Sequence, residues 1–364
     1  MLTSWVSAHA AFIKASVQHK NELTDEQKKP VPAGARLSGR PVNVSDDHIE
    51  FTDGVLDGTA LPPHLCFIHR DHWTPMPAEP APAAVPAAAA RKLNVAACLM
   101  IKDDVHRVQE WIAFHRAIGF DSFIIYDNNS TDGTTEALQR AARVFDVRVI
   151  PWTRTDWNRQ RDAYTQTIRQ YENEFDWIAF IDADEFIVLK QHETIQEFLA
   201  PYDADQVLIN WAMFGSNGHK ERPPGLMIET FTRRSDTRFI SARHVKSIMR
   251  PKSLITDCFN PHAFEVRGKT VDVLGDPSDW EKFGVLKTAP VYDLCQINHY
   301  YVKSWEEWDI KMRRGSNGTV GMSMNPQAVL DGFNYADHNK IFDPSALRFA
   351  AGTHANLALM KESD

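Results

Sequence analysis

The chain has 364 residues, of which 43% are hydrophobic, 24% charged and 10% aromatic. That much apolar material excludes disorder throughout and suffices for one large core or two domains. With 40 basic against 48 acidic residues the net charge is −8, the reverse of the excess that a nucleic-acid-binding protein carries.

No run of about 18 apolar residues occurs, so no membrane span is expected. The opening MLTSWVSAHAAFIKASVQHK lacks a continuous apolar region and reads as a poor signal peptide. Cys66, Cys98, Cys258 and Cys295 are scattered, which suggests neither a disulfide scaffold nor a structural zinc site. A reduced, soluble, cytoplasmic protein is the expectation.

Residues 1–76 form an N-terminal region without a chemical motif. Trp5, Val6, Phe12 and Ile13 suggest a short amphipathic helix, and HIEFTDGVLDG over 48–58 a small hairpin turning at Asp53-Gly54. An Ala/Pro-rich linker follows over 77–91, where repeated proline prevents a helix and little is offered to pack. Beyond it, strands and helices alternate. Asn94–Ile101 is a near-continuous apolar run, the mark of a strand buried on both faces. Val108, Trp111, Ile112, His115 and Ile118 recur at helical spacing, and Gly119 stops that helix. Ser122–Tyr126 is a strand, 133–145 a helix, Val147–Trp152 a strand, Asn158–Glu174 a helix and Trp177–Ile181 a strand. This order predicts an α/β fold with an open, mostly parallel sheet and helices on both faces. Ligands of such sheets bind beyond the carboxyl ends of the strands.

Three strand ends carry acids: Asp103-Asp104, Asp127, and Asp182-Ala183-Asp184-Glu185. A carboxylate there can accept hydrogen bonds from a ribose or a base. Two carboxylates one residue apart, as in Asp182 and Asp184, suit a hard divalent cation whose shell is completed by substrate phosphates. Two competing readings are weaker. Asn128, Ser130, Asp132 and Gly133 mimic a calcium loop, but Gln139 stands where a bidentate Glu is required. A D-x-D phosphatase would place its motif early in the domain and follow it with Thr or Val rather than Glu185.

The stretch NVAACLMIKDDVHRVQEWIAFHRAIGFDSFIIYDNNSTDGT, followed by DWIAFIDADEFIVL, resembles GT-A glycosyltransferases, more narrowly the family 2-like and family 92-like enzymes. Glu110-Trp111, Phe114-His115, Gly119, Tyr126 to Gly133 and Asp182 to Phe186 match in order, and INHYYVKSWEEWDIKMRRG over 297–315 is similar to a C-terminal family block. Asp103-Asp104 departs from the Asn-Glu type of pair expected there. The resemblance implies a GT-A (Rossmann-like) domain over 92–320 with a C-terminal extension over 321–364. It implies transfer of a sugar from a nucleotide diphosphate-sugar, UDP-linked, to a glycan or other hydroxyl acceptor, with inversion, as in polysaccharide biosynthesis.

Under that resemblance Asp182, Asp184 and a late histidine, His299, hold Mn2+ or Mg2+. Asp127 contacts uracil or ribose, Asp103 and Asp104 line the nucleotide pocket, and Lys246 and Lys303 bring positive charge. Ser304 and Glu307 read as a capping box, while Lys311, Arg313 and Arg314 complement the end of the following helix. The middle segment supplies the acceptor side: Trp211 and Phe214 for a sugar face, Ser216, Asn217 and His219 for hydroxyls, and His262 as a second metal or acceptor ligand. Glu229 or Asp257 is the expected catalytic base, with Asp236 and Glu265 as further carboxylates of that region. A nucleotidyltransferase is disfavoured because MIKDDVHR has no glycine, and a non-catalytic nucleotide-sugar or carbohydrate-binding module is the main alternative. Expected partners are donor and acceptor, with no nucleic acid; a peripheral membrane contact would use the N-terminal amphipathic stretch.

Overall fold

A computed structural model of the chain describes residues 92–314 and 325–362, and ahead of them eight strands together with Thr24, Ala35 and Leu61. Two compact units divide the chain, Met1–Ala90 and Arg91–Asp364.

In the first unit the strands run in the order Lys28–Val31, Ala11–Lys14, Phe67–His69, His48–Leu56, Arg36–Val44, Thr3–Ser7, Trp73–Pro75, and Thr59–Ala60 pairs with His48–Leu56. Ile13, Val31, Leu37, Leu56, Ile68 and Trp73 form its core. The amphipathic helix expected through Trp5 and Ile13 is instead two strands, Thr3–Ser7 and Ala11–Lys14. Aromatic and β-branched residues fit a pleated surface better than a helix turn, and spacing alone had not separated the two. Nor does the hairpin turn at Asp53-Gly54, which lies inside His48–Leu56; that strand reverses between the paired Leu56 and Thr59. The linker expected over 77–91 lies outside the described residues.

The second unit carries the alternating pattern. β1 (Val95–Ile101), β2 (Ser122–Asp127), β3 (Asp146–Pro151) and β4 (Trp177–Phe180) pair in the parallel order β3-β2-β1-β4, as expected. Helices α1 (Val108–Ala117), α2 (Thr134–Ala142) and α3 (Arg159–Tyr171) connect them. Alternate residues of β1 enter different cores: Val95, Ala97, Leu99 and Ile101 pack with α1 and α2, while Ala96 and Cys98 pack with Ala163, Tyr164 and Ile168 of α3. Helices on both faces follow from that division. Gly119, at φ +97°, ends α1 where a side chain would strike Gln196 of α4 (Ile195–Leu199), whose amide donates to the Gly119 carbonyl at 2.7 Å.

Beyond β4 the sheet continues through further strands whose order and direction periodicity did not reveal. β5 (Glu185–Leu189), β6 (Gln206–Met213), β7 (Val245–Met249) and β8 (Cys295–His299) extend it as β4-β7-β6-β8-β5. β7 is antiparallel to both β4 and β6, and β5 is antiparallel to β8. Cys98, Cys258 and Cys295 are free and buried. Among the described residues, no helix is long and apolar enough to cross a membrane.

After α5 (Trp305–Arg314) come α6 (Pro326–Ala336) and α7 (Ala350–Glu362), and Ala346, Phe349 and Met360 pack into the same core. Asn356 of α7 donates to the Ala113 carbonyl of α1 at 2.9 Å. Between the two helices Asp343 is buried with Arg234 at 2.7 Å and Lys190 at 3.4 Å, and accepts from Gln296 at 3.1 Å. Burial works against its charge, but Ser345, Lys190 and Arg234 hold its carboxyl well below the ordinary carboxylate range. Asp343→Ala strands two partly buried cations and is expected to cost about 3 kcal/mol in urea unfolding at pH 7. The sign of its pH dependence is fixed by the lowered value. Wild type keeps this advantage above the unfolded carboxyl value of about 3.9 and loses it progressively as the pH falls below that. A gap between the two proteins that stays constant from pH 7 to pH 3 would refute the assignment.

Candidate functional site

The acidic segment Asp182–Glu185 spans the step from β4 to β5, and its backbone is held from several sides. The Asp182 amide donates to the Glu185 carboxylate at 2.7 Å, and the Glu185 amide donates to the Asp182 carbonyl at 3.0 Å. From α1, the Trp111 indole N–H donates to both the Asp182 and Glu185 carbonyls, at 3.1 and 2.9 Å. His115, one helical turn on, contacts the Trp111 carbonyl through Nδ1 at 2.8 Å and accepts from the Ile187 amide at Nε2, at 3.2 Å. A carbonyl can only accept, so Nδ1 carries the proton. Burial pushes this ring down to about 3, which keeps it neutral and in that bridging form. Glu110, Trp111 and His115 thus earn their place in the sequence pattern by fastening: Glu110 accepts from the Ile228 amide at 3.2 Å, and the other two set the acid loop.

Each acid of the loop has a cation. Asp182 accepts from Gln160 at 2.8 Å and pairs with Lys246 of β7 at 2.9 Å. Glu185 is fully buried, 3.5 Å from the same ammonium, and its Oε1 has no hydrogen-bond partner. Burial pushes Glu185 up to about 7 against the pull of Lys246. Burial would likewise lower Lys246, but Asp182 and Glu185 outweigh it and the ammonium is pushed up to about 12. Asp184 pairs with Lys311 of α5 at 2.8 Å and stands 3.6 Å from His299 Nε2. Burial opposes its charge, yet Lys311, His299 and Lys303 hold it well below the ordinary range.

The antiparallel register of β5 and β8 sets Glu185 opposite His299, which is how a residue more than a hundred positions later reaches the acid loop. His299 is buried, and its Nδ1 lacks a partner. Its ring lies against Trp211, centroids 4.3 Å apart; His244 stacks on that indole at 4.9 Å and His262 meets it edge-on at 5.2 Å.

Among the described residues, no three His, Cys, Asp or Glu side chains already converge as a metal cage, because lysines stand against both aspartates. The pair Asp184 and His299 nevertheless fits a divalent ion. Its 3.6 Å separation is too long for a hydrogen bond and close to the spacing of two ligands about 2.1 Å from one cation. Oxygen with imidazole nitrogen suits manganese or a similar ion.

The acids expected on the nucleotide side form a brace. Asp103, at φ +50°, accepts from the Thr131 amide at 2.7 Å, while its own amide donates to Ser130 at 3.0 Å. Asp127 accepts from the Ser130 amide at 3.1 Å and from the Thr135 hydroxyl. Asp104 stands 3.7 Å from Lys303, so the first loop reaches the segment that carries His299. The structure therefore groups Asp182, Asp184, His299, Lys246, Lys303 and Asp104, and ties Asp103 and Asp127 into the loop beside them.

It does not bring Glu229 or Asp257 there. Glu229 pairs with His354 on the terminal helix at 2.9 Å, and Asp257 pairs with Arg169 in a largely exposed position. Asp236 and Glu265 are engaged by Arg238 and Thr256. Phe214 is buried against Tyr300. Ser216 and Asn217 are fastened to Asp337 and Asn339. Sequence reasoning missed Gln160 and His244, took Trp111 and His115 for helix packing, and gave Lys311 only a helix-end role. Apart from the Trp111–His115 contact within α1, their partners at the acid loop are far away in sequence, so spacing carried no signal.

The model of Glycosyltransferase family 92 matches residues 94–325, more than half of the chain. A family 92 protein of Oryza sativa subsp. japonica is 26% identical over 221 residues, covering 58% of this chain and 34% of that protein. One of Arabidopsis thaliana is 26% identical over 237 residues, covering 61% and 38%. The chain thus spans little more than a third of the length of these relatives. Among solved structures, S. aureus TarS residues 1–349 with UDP aligns at TM-score 0.30 and 15% identity, over 44% of this chain and 47% of that one. Glucosyl-3-phosphoglycerate synthase of Mycobacterium tuberculosis with Mn2+ and UDP-glucose aligns at TM-score 0.23 and 14% identity, over 33% and 44%.

The buried charge group gives a direct test. Lys246→Met leaves Asp182 and Glu185 uncompensated and is expected to destabilise by about 4 kcal/mol in denaturant unfolding. Adding Glu185→Gln should return about 2 kcal/mol as a coupling energy. Strict additivity of the two substitutions would show that the three groups do not act together.

Proposed function

The chain belongs to glycosyltransferase family 92, and from that membership we propose that it transfers a sugar from a UDP-sugar to a hydroxyl of a glycan or other acceptor. In this reading transfer proceeds with inversion and with Mn2+ or Mg2+. The observation that carries it is the group at the carboxyl end of the sheet: Asp184 and His299 at cation-bridging distance, with Asp182 one loop residue away. The cation, when bound, would neutralise charge developing on the diphosphate leaving group.

The remaining work falls to the chain itself. Trp111 and His115 keep the acid loop rigid, so that Asp182 and Asp184 need not reorganise when donor enters. Lys303, held at φ +57°, brings an ammonium to the edge of the Asp104 loop where the phosphates would lie. Asp103 and Asp127 shape the nucleotide side through the loop they brace. On the acceptor side Trp211 offers an aromatic face with three imidazoles around it. His262 donates from Nδ1 to the Val245 carbonyl at 2.9 Å, which leaves Nε2 unprotonated. Burial and Lys246 push that ring down to about 3, so it serves to orient a hydroxyl rather than to hold its proton. Glu229 and Asp257 have surface partners, and the proposal gives neither of them the proton.

The test is a donor screen that follows release of UDP or another nucleoside diphosphate, with thermal stability as a second readout. Wild type should gain several degrees with UDP plus Mn2+, and Asp182→Asn with Asp184→Asn should abolish both the gain and the turnover. His299→Ala should lower turnover by about 100-fold. If no donor releases a nucleoside diphosphate and UDP plus Mn2+ leaves the melting point unmoved, the proposal fails.

A further inference from the structure

The charges around the acid loop lie within about one of balance before any ion or substrate is added. Asp182 is matched by Lys246 at 2.9 Å, Asp184 by Lys311 at 2.8 Å, and Asp104 by Lys303 at 3.7 Å. Glu185, buried beneath them, shares Lys246. The lysines are not equivalent. Lys246 is 1% exposed on a central strand, whereas Lys311 is 23% exposed near the end of α5. The Lys311 ammonium also donates to the Tyr301 carbonyl at 3.2 Å and lies 4.0 Å over the Tyr301 ring. That socket holds it on Asp184 Oδ2 while Oδ1 faces His299.

Building on the metal-dependent reading above, we propose that Lys311 is the resident counter-ion of Asp184 and makes divalent metal and nucleoside diphosphate bind as a coupled pair rather than independently. A divalent ion on Oδ1 would stand within about 7 Å of the Lys311 ammonium, a repulsion that a partly buried site screens poorly. Metal alone therefore adds two positive charges to a site already near neutrality. A diphosphate alone meets Asp182 and Asp184 with no net positive charge to receive it. Together they restore the balance, with Lys311 and Lys303 on the diphosphate side of the ion. Linkage requires the effect to be reciprocal: Mn2+ must tighten UDP by the factor by which UDP tightens Mn2+. Lys311 acts as a positioning residue here, through Asp184.

The experiment is titration of the full chain with Mn2+, counting free Mn2+ by its EPR signal, with and without saturating UDP. Wild type should bind Mn2+ weakly alone and about 10- to 100-fold tighter with UDP. Lys311→Met should bind Mn2+ alone about tenfold tighter than wild type and lose most of the gain from UDP, one decade being the size of a modest coupling. Lys311→Arg keeps the charge and should behave as wild type. If Lys311→Met does not unfold cooperatively, Lys311→Gln reports the same quantity. Unchanged Mn2+ affinity in the neutral variants, with Mn2+ still binding alongside UDP, overturns the role of Lys311 and leaves the metal reading standing. Absence of Mn2+ binding in every variant, with or without UDP, overturns both.

Discussion

Lys246 lies 1% exposed between Asp182 and Glu185, and much of the fold is arranged around the need to keep it there. Two carboxylates and an ammonium removed from water are tolerable only if each has its partner in place. β7, which runs antiparallel to β4, supplies the lysine. Trp111 and His115 then fix the carbonyls and amides of the loop, which stops the acids from turning outward to solvent. The sheet extension and the α1 clamp are two answers to one electrostatic demand.

The same demand explains why the last third of the chain is integral. His299 arrives through the β5–β8 register, and Lys311 through the helix that follows. The Ser304–Glu307 capping box anticipated from sequence is present, with the Ser304 hydroxyl accepting from the Glu307 amide at 3.2 Å. Glu307 also pairs with Arg107 at 3.0 Å, linking α5 to the start of α1. Downstream, Asp337 accepts from Ser216 and Asn339 from Asn217, so the loop expected to meet an acceptor is shaped by residues 337–339. What read as an extension of unknown purpose is part of the wall of the second unit.

Legibility followed burial. β1 to β4 could be read because apolar runs bounded by acids and glycine admit few alternatives. β5 could not, because it opens on a glutamate that looked like the end of a polar loop; only the Lys246 partnership makes a buried Glu185 acceptable. The acid loop itself was visible as carboxylates at a strand end. Its lysines were not, since Lys246 and Lys311 are far from it in sequence and look like an ordinary strand residue and an ordinary helix end. In the first unit, Trp5 and Ile13 have spacings compatible with either period, and sheet pairing decided between them.

The net charge of −8 takes on a different meaning once the acids are located. An excess of acid over base is ill suited to a diphosphate, and a bound cation is the obvious remedy. Yet at this sheet edge three lysines already stand against Asp182, Asp184, Glu185 and Asp104, so the local field bears little relation to the global sum. In the proposed reading, a cation would serve less to cancel the aspartates than to give a near-neutral site a net positive charge at the moment an anion enters. Such a site discriminates by total charge as well as by shape. It would favour a doubly anionic group accompanied by its metal over either alone, and would do so with residues that also hold the fold together.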